Sequence, residues 1–376
     1  MSFGKNPQNL DNVGTTQQQN AAFEASRNRG KGGGGGGGGG KPYFVDSFKP
    51  SMDAPDTVRL LKGSYDVSIG QHDGTLITTN LAWFPFTEHY HGTMKKGFVC
   101  SAGPFGSFKG KGQPCLGHEM FWADRNAGRK NGPMSMRDMY SLGVIHYATY
   151  ASVEQVDYGT GAIRTNNEGK AYMTWVRVHE HEKAKFAGKE TVDARQLHWD
   201  MGYGHWNTLL EYDKAIGTSC KSCGGVDTVS MVVWHCSACG NPIIEAASTV
   251  LSGIEIEALA KNPVTCAACN HHGYMTEFVN CRSCTEGARA TLYDVDLKVK
   301  RVGDATGKSH QTSLVVLGWS PPRPVDARFA DIAVPNDLSK VFVPEKYEKQ
   351  LEKIGGPSPA TMGRSPVTGA GHTVKY

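Results

Sequence analysis

Four Cys-x2-Cys pairs constrain the fold of this chain more than any other feature of its sequence. Their members are Cys220, Cys223, Cys236, Cys239, Cys266, Cys269, Cys281 and Cys284. Two residues between cysteines let both thiolates reach one tetrahedral ion, so such pairs in a chain without an export signal indicate metal binding rather than disulfides. Spacers of twelve residues between the first two pairs and eleven between the last two are typical of zinc ribbons.

The pairs can share ions in two ways. Sequential pairing, in which the first two pairs hold one ion and the last two hold another, needs the shortest loops and is preferred here. Nested pairing, in which the outer pairs share one ion and the inner pairs the other, stays open. In both cases four thiolates leave no position for water, so these zinc ions are expected to be structural and to contribute folding energy.

The other two cysteines, Cys100 and Cys115, indicate a third site within about residues 86–120. His118 follows Cys115 in "PCLGH", and His89 and His91 stand in "EHYHG". One histidine of that triplet, both cysteines and His118 would form a closed site of two sulfurs and two nitrogens. His89 and His91 share a face of an extended segment, so spacing does not separate them, and His91 is preferred. The alternative is two buried free thiols and two surface histidines. In total the sequence predicts three structural zinc ions per chain.

The N-terminal segment has a composition that cannot bury a core. Residues 1–41 are rich in Gln and Asn and include an unbroken run of glycine from Gly32 to Gly40, which predicts a disordered basic arm. This arm is either a solvated linker or a contact to nucleic acid or to a neighbouring copy. Neither a signal peptide nor an apolar membrane span is evident, so the protein is expected to be intracellular, with no membrane partner. A formal net charge of +4 excludes a general polycation, so an anionic partner must be met by a local groove.

Outside the cysteine pairs, the chain reads mainly as β-strands. Runs rich in β-branched and aromatic residues cover 56–69, 75–91, 140–153 and 171–180, and 290–303 with 311–319 predicts a hairpin. Helices are predicted at 206–216, 254–262 and 344–354. The expected fold is mainly β, a small barrel of the oligonucleotide-binding type with few helices. Its expected parts are a core over 42–216, two inserted ribbons over 217–288, a closing hairpin and helix over 289–355, and a flexible tail over 356–376.

Open small barrels bind single-stranded nucleic acid by stacking bases on aromatic rings and by placing Lys and Arg near the phosphates. The candidate stacking residues are Trp83, Phe84, Phe86, Tyr90, Phe98, Phe105, Phe108, Tyr147, Tyr150 and Trp175. The candidate phosphate contacts are Arg59, Lys62, Lys95, Lys96, Lys109, Lys111, Arg177, Lys298, Lys300 and Arg301. For any single ring, core packing is the alternative, although Phe105 and Phe108 stand in a segment too rich in glycine for a core.

The segments "DTVRLLKGSYD", "PFTEHYH", "KKGFVCSAG" and "PCLGH" resemble the zinc-containing single-stranded DNA-binding proteins of tailed bacteriophages, of the T-even type. The later "DLKVKRVGDATGKSHQTSLVV" is similar to a hairpin of that family. The resemblance implies an oligonucleotide-binding barrel, a zinc site on His89 or His91, Cys100, Cys115 and His118, and a non-enzymatic role in viral replication, recombination and repair in the host cytoplasm. Other copies along the strand and replication proteins are the implied partners.

This chain departs from the family in three ways. His118 stands where the family has cysteine, the ribbons over 220–284 are additional, and the C-terminal 22 residues carry no carboxylate side chain where the family has an acidic tail. Two other functions remain open. A zinc-dependent hydrolase could use "HEHE" at His179 to Glu182, although these histidines lack the i, i+4 spacing of a helical zinc motif. An accessory factor could dock its ribbons on a polymerase.

Overall fold

The computed structural model describes residues 46–70, 76–91, 97–101, 115–129, 132–157, 160–246, 264–273, 275–303 and 312–354. The chain is mainly β, as predicted, and its sheets are antiparallel. The predicted arm, the predicted tail and the predicted helix over 254–262 lie outside the described residues. None of the described helices combines the length and the apolar character needed to cross a membrane.

The described strands, in chain order, are β1 (Asp56–Leu61), β2 (Tyr65–Gly70), β3 (Leu76–Leu81), β4 (Phe84–His91), β5 (Phe98–Val99), β6 (Met134–His146), β7 (Tyr150–Glu154), β8 (Met173–Arg177), β9 (Thr191–Val192), β10 (Arg195–Gly202), β11 (Val229–Cys236), β12 (Pro242–Ala246), β13 (Val264–Thr265), β14 (His272–Gly273), β15 (Met275–Cys281), β16 (Asp296–Gly303) and β17 (Thr312–Trp319). The α-helices are α1 (Leu116–Asn126), α2 (Tyr203–Ile216) and α3 (Tyr347–Ile354). Short 3-10 helices cover Glu180–Phe186, Leu292–Asp294, Ala327–Ile332 and Leu338–Lys340.

The chain divides into two compact units. The first comprises the described residues of Met1–Asp66, Thr79–Phe84 and Tyr140–Val341. Its main sheet has the order β17-β16-β1-β6, and β10 also pairs with β6. Val58 of β1 is fully buried and lies opposite Leu297 on one side and His146 on the other. Successive residues of β1, Val58 to Leu61, are all buried, so this central strand is covered on both faces in the core of the unit.

The predicted C-terminal hairpin is confirmed. β16 and β17 pair antiparallel from Leu297 opposite Trp319 to Gly303 opposite Thr312. A register shift between Lys298 and Val299 marks a bulge, and Gly318, opposite Lys298, has a φ of +152°. A side chain at position 318 would be strained in this conformation, which accounts for the glycine there.

The second unit comprises the described residues of Val67–Thr78, Pro85–Met139 and Phe342–Tyr376. In it β4 lies between β5 and the first half of β6, and Phe86 stacks on Phe342 with ring centroids 4.1 Å apart. The buried side-chain amide of Gln350 in α3 accepts a hydrogen bond of 2.8 Å from the backbone N–H of Leu116. This bond satisfies a donor that the first turn of α1 leaves without a helical partner.

The predicted small barrel is not confirmed, because none of the sheets formed by the described strands closes. In the first unit, β17 is the outer strand of the sheet. Strand composition predicts that a segment is extended, but closure depends on tilt and stagger between strands far apart in the chain. The sequence therefore predicted a mainly β fold but did not determine whether the sheet closes.

Candidate metal centres

Two groups of four cysteines bring their Sγ atoms within 4.8 Å of one another. The proximal site consists of Cys220, Cys223, Cys281 and Cys284. The distal site consists of Cys236, Cys239, Cys266 and Cys269. The outer pairs share one site and the inner pairs share the other, so the nested pairing is present and the preferred sequential pairing was wrong.

The nesting follows from one long hairpin. β11 and β15 pair antiparallel from Val229 opposite Cys281 to Cys236 opposite Met275. The first cysteine pair precedes β11 and the last pair begins where β15 ends, so both lie at the same end of this hairpin. The two inner pairs lie at its other end. Loop length favoured sequential pairing, but the strand pairing brings cysteines far apart in the chain into one group.

The spacing of the sulfurs fits zinc. The Sγ atoms of Cys220 and Cys284 lie 3.7 Å apart, and those of Cys223 and Cys281 lie 3.8 Å apart. In the distal site, Cys236 and Cys269 and also Cys239 and Cys266 are separated by 3.7 Å. A tetrahedral ion with Zn–S bonds of about 2.3 Å places its sulfurs about 3.8 Å apart. Both groups are therefore able to hold a tetrahedral metal ion of zinc's size.

The electrostatics of the proximal site also favour a cation. The hydroxyl of Thr228 lowers the pKa of Cys281 to about 6. Burial, together with the neighbouring Cys220 and Cys281 thiols, raises the pKa of Cys284 to about 12. The four thiols thus do not all ionise together near neutral pH on their own. A divalent cation at their centre would stabilise all four thiolates, which is the form that binds zinc.

The third group contains His89, Cys100 and His118, whose ligand atoms lie within 4.8 Å of one another. The Sγ of Cys115 lies 3.5 Å from the Sγ of Cys100. A hydrogen bond from Cys100 lowers the pKa of Cys115 to about 3. His89 is fully buried, yet neither ring nitrogen has a hydrogen-bond partner among the described residues. Buried polar atoms are rarely left without a partner, so a metal ion at this position would account for the ring.

The choice of His91 was wrong, because the ring that joins this group is that of His89. The edge strand β5 pairs Phe98 with His89, and the turn that begins α1 covers the same ring. A Cβ on Gly117 would lie 2.5 Å from Cγ of His89, so position 117 requires glycine. His91, two residues farther along β4, is only half-buried. The signal in the sequence was the glycine in "PCLGH", which permits this close approach.

The "HEHE" segment does not form a metal group among the described residues. The rings of His179 and His181 stack with centroids 5.7 Å apart at the start of a 3-10 helix. Glu182 binds Lys185 at 3.0 Å. The carboxylate that a hydrolytic site would require is therefore engaged in a surface ion pair.

Several of the predicted nucleic-acid contacts are core residues. The side chains of Arg59, Phe86, Phe98 and Tyr150 are all buried. Arg59 is 1% exposed, its Nε donates to Asp296 at 2.8 Å, and it donates to two backbone carbonyls. Phe86 packs on Phe342, so neither Arg59 nor Phe86 can reach a strand of nucleic acid. Their predicted roles were wrong because an isolated sequence does not separate a core ring or a buried ion pair from a surface one.

Other predicted contacts have partners inside the fold. The half-buried rings of Trp83, Phe84 and Tyr147 pack on Trp206, Tyr65 and Phe329, respectively. Arg177 forms an ion pair of 2.6 Å with the buried carboxylate of Asp56. These side chains are therefore engaged in packing or in the core network.

The remaining predicted contacts are at least partly exposed. They are Lys62, Tyr90, Trp175, Lys298, Lys300 and Arg301. Arg301 donates from Nε to the carbonyl of Pro50 at 2.6 Å, and Trp175 lies under the guanidinium of Arg195. The predicted residues Lys95, Lys96, Phe105, Phe108, Lys109 and Lys111 lie outside the described residues.

A buried polar network near β1 was missed by the sequence analysis. Nε2 of His146 lies 3.1 Å from Oδ1 of Asp56, and its Nδ1 lies 2.7 Å from the hydroxyl of Tyr150. Arg177 binds the same carboxylate. No pattern in "GVIHYATY" distinguishes such a histidine from a surface one.

No protein family model matches the chain, and a comparison with curated proteins gives no significant match. The case for a function therefore depends on the geometry of the metal groups and of the sheet.

Proposed function

We propose that this chain is a non-enzymatic protein that coats single-stranded DNA without sequence preference during viral DNA replication, recombination and repair. The observation that supports the proposal is the alternation along β16. Leu297 and Val299 are fully buried, whereas Lys298 and Lys300 between and after them are partly exposed. Since successive side chains of a strand point to opposite faces, both lysines lie on one face of the main sheet of the first unit.

The cross-strand neighbours of these lysines are uncharged, and Asp296, two residues before Lys298 on the same face, is paired with Arg59 and Arg323. Lys298 lies opposite Thr57 of β1 and Gly318 of β17, and Lys300 lies opposite Val315. Two cations two residues apart on a strand, flanked by small or apolar residues, can contact successive phosphates of an extended strand. Phosphate contacts of this kind carry no sequence information, which suits a coating protein.

The metal groups have a structural role in this proposal. We infer that each of the three groups holds one zinc ion, because the cysteine spacings and the buried, unpartnered His89 suit its tetrahedral N and S coordination. All four positions of each four-cysteine site are occupied by protein ligands. Such sites supply folding energy and not a reactive water, which favours a binding protein over an enzyme.

The resemblance to phage DNA-binding proteins extends the proposal to partners and location. Other copies of the chain along the strand, and replication proteins, are the proposed partners in the cytoplasm of a host cell. The low formal charge of +4 also suits a local DNA contact over general coating of polyanions.

A fluorescence titration with poly-dT at several salt concentrations tests the function. The native chain should bind, and its affinity should fall steeply as salt rises. The double variant Lys298→Ala, Lys300→Ala should bind more weakly and with a shallower dependence on salt. Its matched control is Lys170→Ala, Lys189→Ala, which removes two exposed lysines elsewhere in the first unit. Absence of poly-dT binding by the native chain at low salt would refute the proposal.

A second candidate is a replication or transcription accessory factor that docks on a polymerase. The observation that favours it is the distal end of the ribbon hairpin. Residues 237–241 and 267–272 are exposed there and include no acidic residue, lysine or arginine. Pull-down with a polymerase, lost in a variant with Ser237→Asp and Ala267→Asp that retains full poly-dT affinity, would favour this function.

A further inference from the structure

Each Cys-x2-Cys pair forms a short turn, here called a knuckle. The two metal sites of the ribbon hairpin differ in the charge of their knuckles. In the proximal site, the residue after the first cysteine of each pair is a cation, Lys221 in one knuckle and Arg282 in the other. The equivalent positions of the distal site hold Ser237 and Ala267. At this position of the knuckles, positive charge is therefore found only at the proximal end of the hairpin.

Both proximal cations face solvent. Lys221 and Arg282 are exposed, and neither forms an ion pair with any residue that the structure describes. Their flanking cysteines converge on one site, so the two side chains lie on the outside of the same metal group. The carboxylates closest to these knuckles along the chain are Asp227, which accepts a 2.5 Å hydrogen bond from the hydroxyl of Thr218, and the exposed Glu286.

The proximal site is anchored to the start of β16. The backbone N–H of Lys221 donates to the carbonyl of Ala288 at 2.8 Å, and that of Ala290 donates to Ser219 at 2.9 Å. Residues 288–290 are followed at once by the 3-10 helix Leu292–Asp294 and by β16. The knuckles are thus fixed beside the strand that carries Lys298 and Lys300.

A third cation lies between the knuckles and those lysines. Arg323 donates from its backbone N–H to Asp294 at 2.8 Å, and its guanidinium binds Asp296, the first residue of β16. Its side chain is 52% exposed. A Cβ on Gly224 of the first knuckle would lie 3.6 Å from the carbonyl of the adjacent Pro322. The segment that carries Arg323 therefore packs directly beside the proximal knuckle.

We propose that Lys221 and Arg282 extend the DNA-binding face of β16, so that the proximal metal site carries a phosphate-binding surface and the distal site does not. This inference rests on the proposed function and names the part of the ribbon that contacts the strand. The cations run from the knuckles past Arg323 to Lys298 and Lys300, and together they can contact several successive phosphates of one strand. The zinc ion's role is to fix the position of the two knuckle cations.

The test is a poly-dT titration of the full-length chain at several salt concentrations. Each phosphate contact to a single strand contributes about 0.7 to the slope of log K against log salt. The variant Lys221→Ala, Arg282→Ala should therefore lose about 1.4 from that slope and bind more weakly at every salt concentration. The charge-preserving variant Lys221→Arg, Arg282→Lys and the control Lys170→Ala, Lys189→Ala should keep the native slope.

The outcomes separate this inference from the proposed function. If the native chain binds poly-dT and the alanine variant keeps the native slope, the knuckles do not contact the strand, whereas the proposed function stands. If the native chain does not bind poly-dT, the proposed function fails, and this inference fails with it. The zinc content of each variant shows whether the cations instead support the metal site. If the alanine variant loses zinc, a loss of DNA binding no longer tests the phosphate contact, and Glu286→Gln takes its place. Removal of this carboxylate strengthens binding to poly-dT only if a phosphate lies near the knuckles.

Discussion

The Sγ atoms of Cys220 and Cys284 lie 3.7 Å apart, although 64 positions separate the two residues in the chain. This contact closes the whole ribbon segment at its base, where Val229 and Val279 pack against Cys220 and Cys281. At the distal site, at the other end of β11 and β15, Cys236 and Cys266 are buried and Cys239 and Cys269 are exposed. Each site therefore combines buried and exposed cysteines, since Cys223 of the proximal site is exposed as well.

The nested arrangement makes a prediction about pairs of substitutions. Cys220→Ser with Cys284→Ser removes ligands from the proximal site alone, so this variant should lose one zinc ion per chain. Cys220→Ser with Cys236→Ser damages both sites and should lose two. Zinc content after gel filtration, measured by inductively coupled plasma mass spectrometry, gives the count. Sequential pairing would reverse the two results, and single substitutions serve as controls because each removes one ion under either pairing.

In the third metal group, a single methyl group added at position 117 should have a strong effect on zinc binding. Gly117→Ala places a Cβ against the buried ring of His89, and overpacking of this kind typically costs about 1–3 kcal/mol. The variant should lose the third zinc ion and keep the two of the ribbon. Gly204→Ala is the matched control, because a Cβ there meets no atom within 4 Å. Retention of all zinc by the Gly117 variant would show that the ring of His89 is not held by metal. His89→Ala and His91→Ala form a second pair, of which only the first should lose the ion.

How far the sequence predicted these sites depends on the distance over which each feature acts. The Cys-x2-Cys spacing is local and identified all eight cysteines of the two candidate ribbon sites, and "PCLGH" identified Cys115 and His118 of the third group. The partner of each knuckle depends on pairing between β11 and β15, which no spacing encodes. His89 was not separated from His91 because their difference arises when β5 and α1 cover one ring and leave the other half-buried.

The fold was predicted where alternation is strong. The hairpin of β16 and β17 alternates buried and partly exposed residues and was predicted correctly. Helix α1 was missed, since Gly117 and His118 near its start pack against or belong to a metal group and do not contribute to an apolar stripe. Whether the sheet closes could not be determined from the sequence, because closure depends on the stagger between strands far apart in the chain. The aromatic and basic residues were the least predictable, because burial decides between core and surface for each of them.

The buried pair of Asp56 and His146 predicts a dependence of stability on pH. Burial alone would raise the pKa of Asp56, but hydrogen bonds from His146 and Ser51 and the charge of Arg177 outweigh it, and the pKa lies below 3.8. Since the unfolded carboxylate takes up its proton first as the pH falls, this contribution to stability is present above about pH 4 and is lost below it. Asp56→Asn should lower the free energy of unfolding at pH 7 by about 1.5–3 kcal/mol. It should also reduce the further loss of stability as the pH falls below about 4.

Urea denaturation of the native chain and of Asp56→Asn between pH 3 and pH 7 measures this effect. The difference between the two proteins is the informative quantity, since acid release of metal affects both equally. A difference that does not change with pH would contradict the assignment. Asp53→Asn, an exposed carboxylate three residues earlier, should leave the profile unchanged.

Arg59 and Lys300 should separate stability from DNA binding. Arg59 is buried in an ion pair with Asp296, and breaking a buried pair typically costs about 3–5 kcal/mol. Because Asp296 keeps its contact with Arg323, Arg59→Ala should fall at the lower end of that range. It should lower the midpoint of urea unfolding, while the folded fraction keeps its poly-dT affinity. Lys300→Ala should do the reverse, with unchanged unfolding and weaker, less salt-dependent binding. Loss of affinity by folded Arg59→Ala, at a salt slope reduced by about 0.7, would instead place Arg59 at a phosphate and contradict its burial.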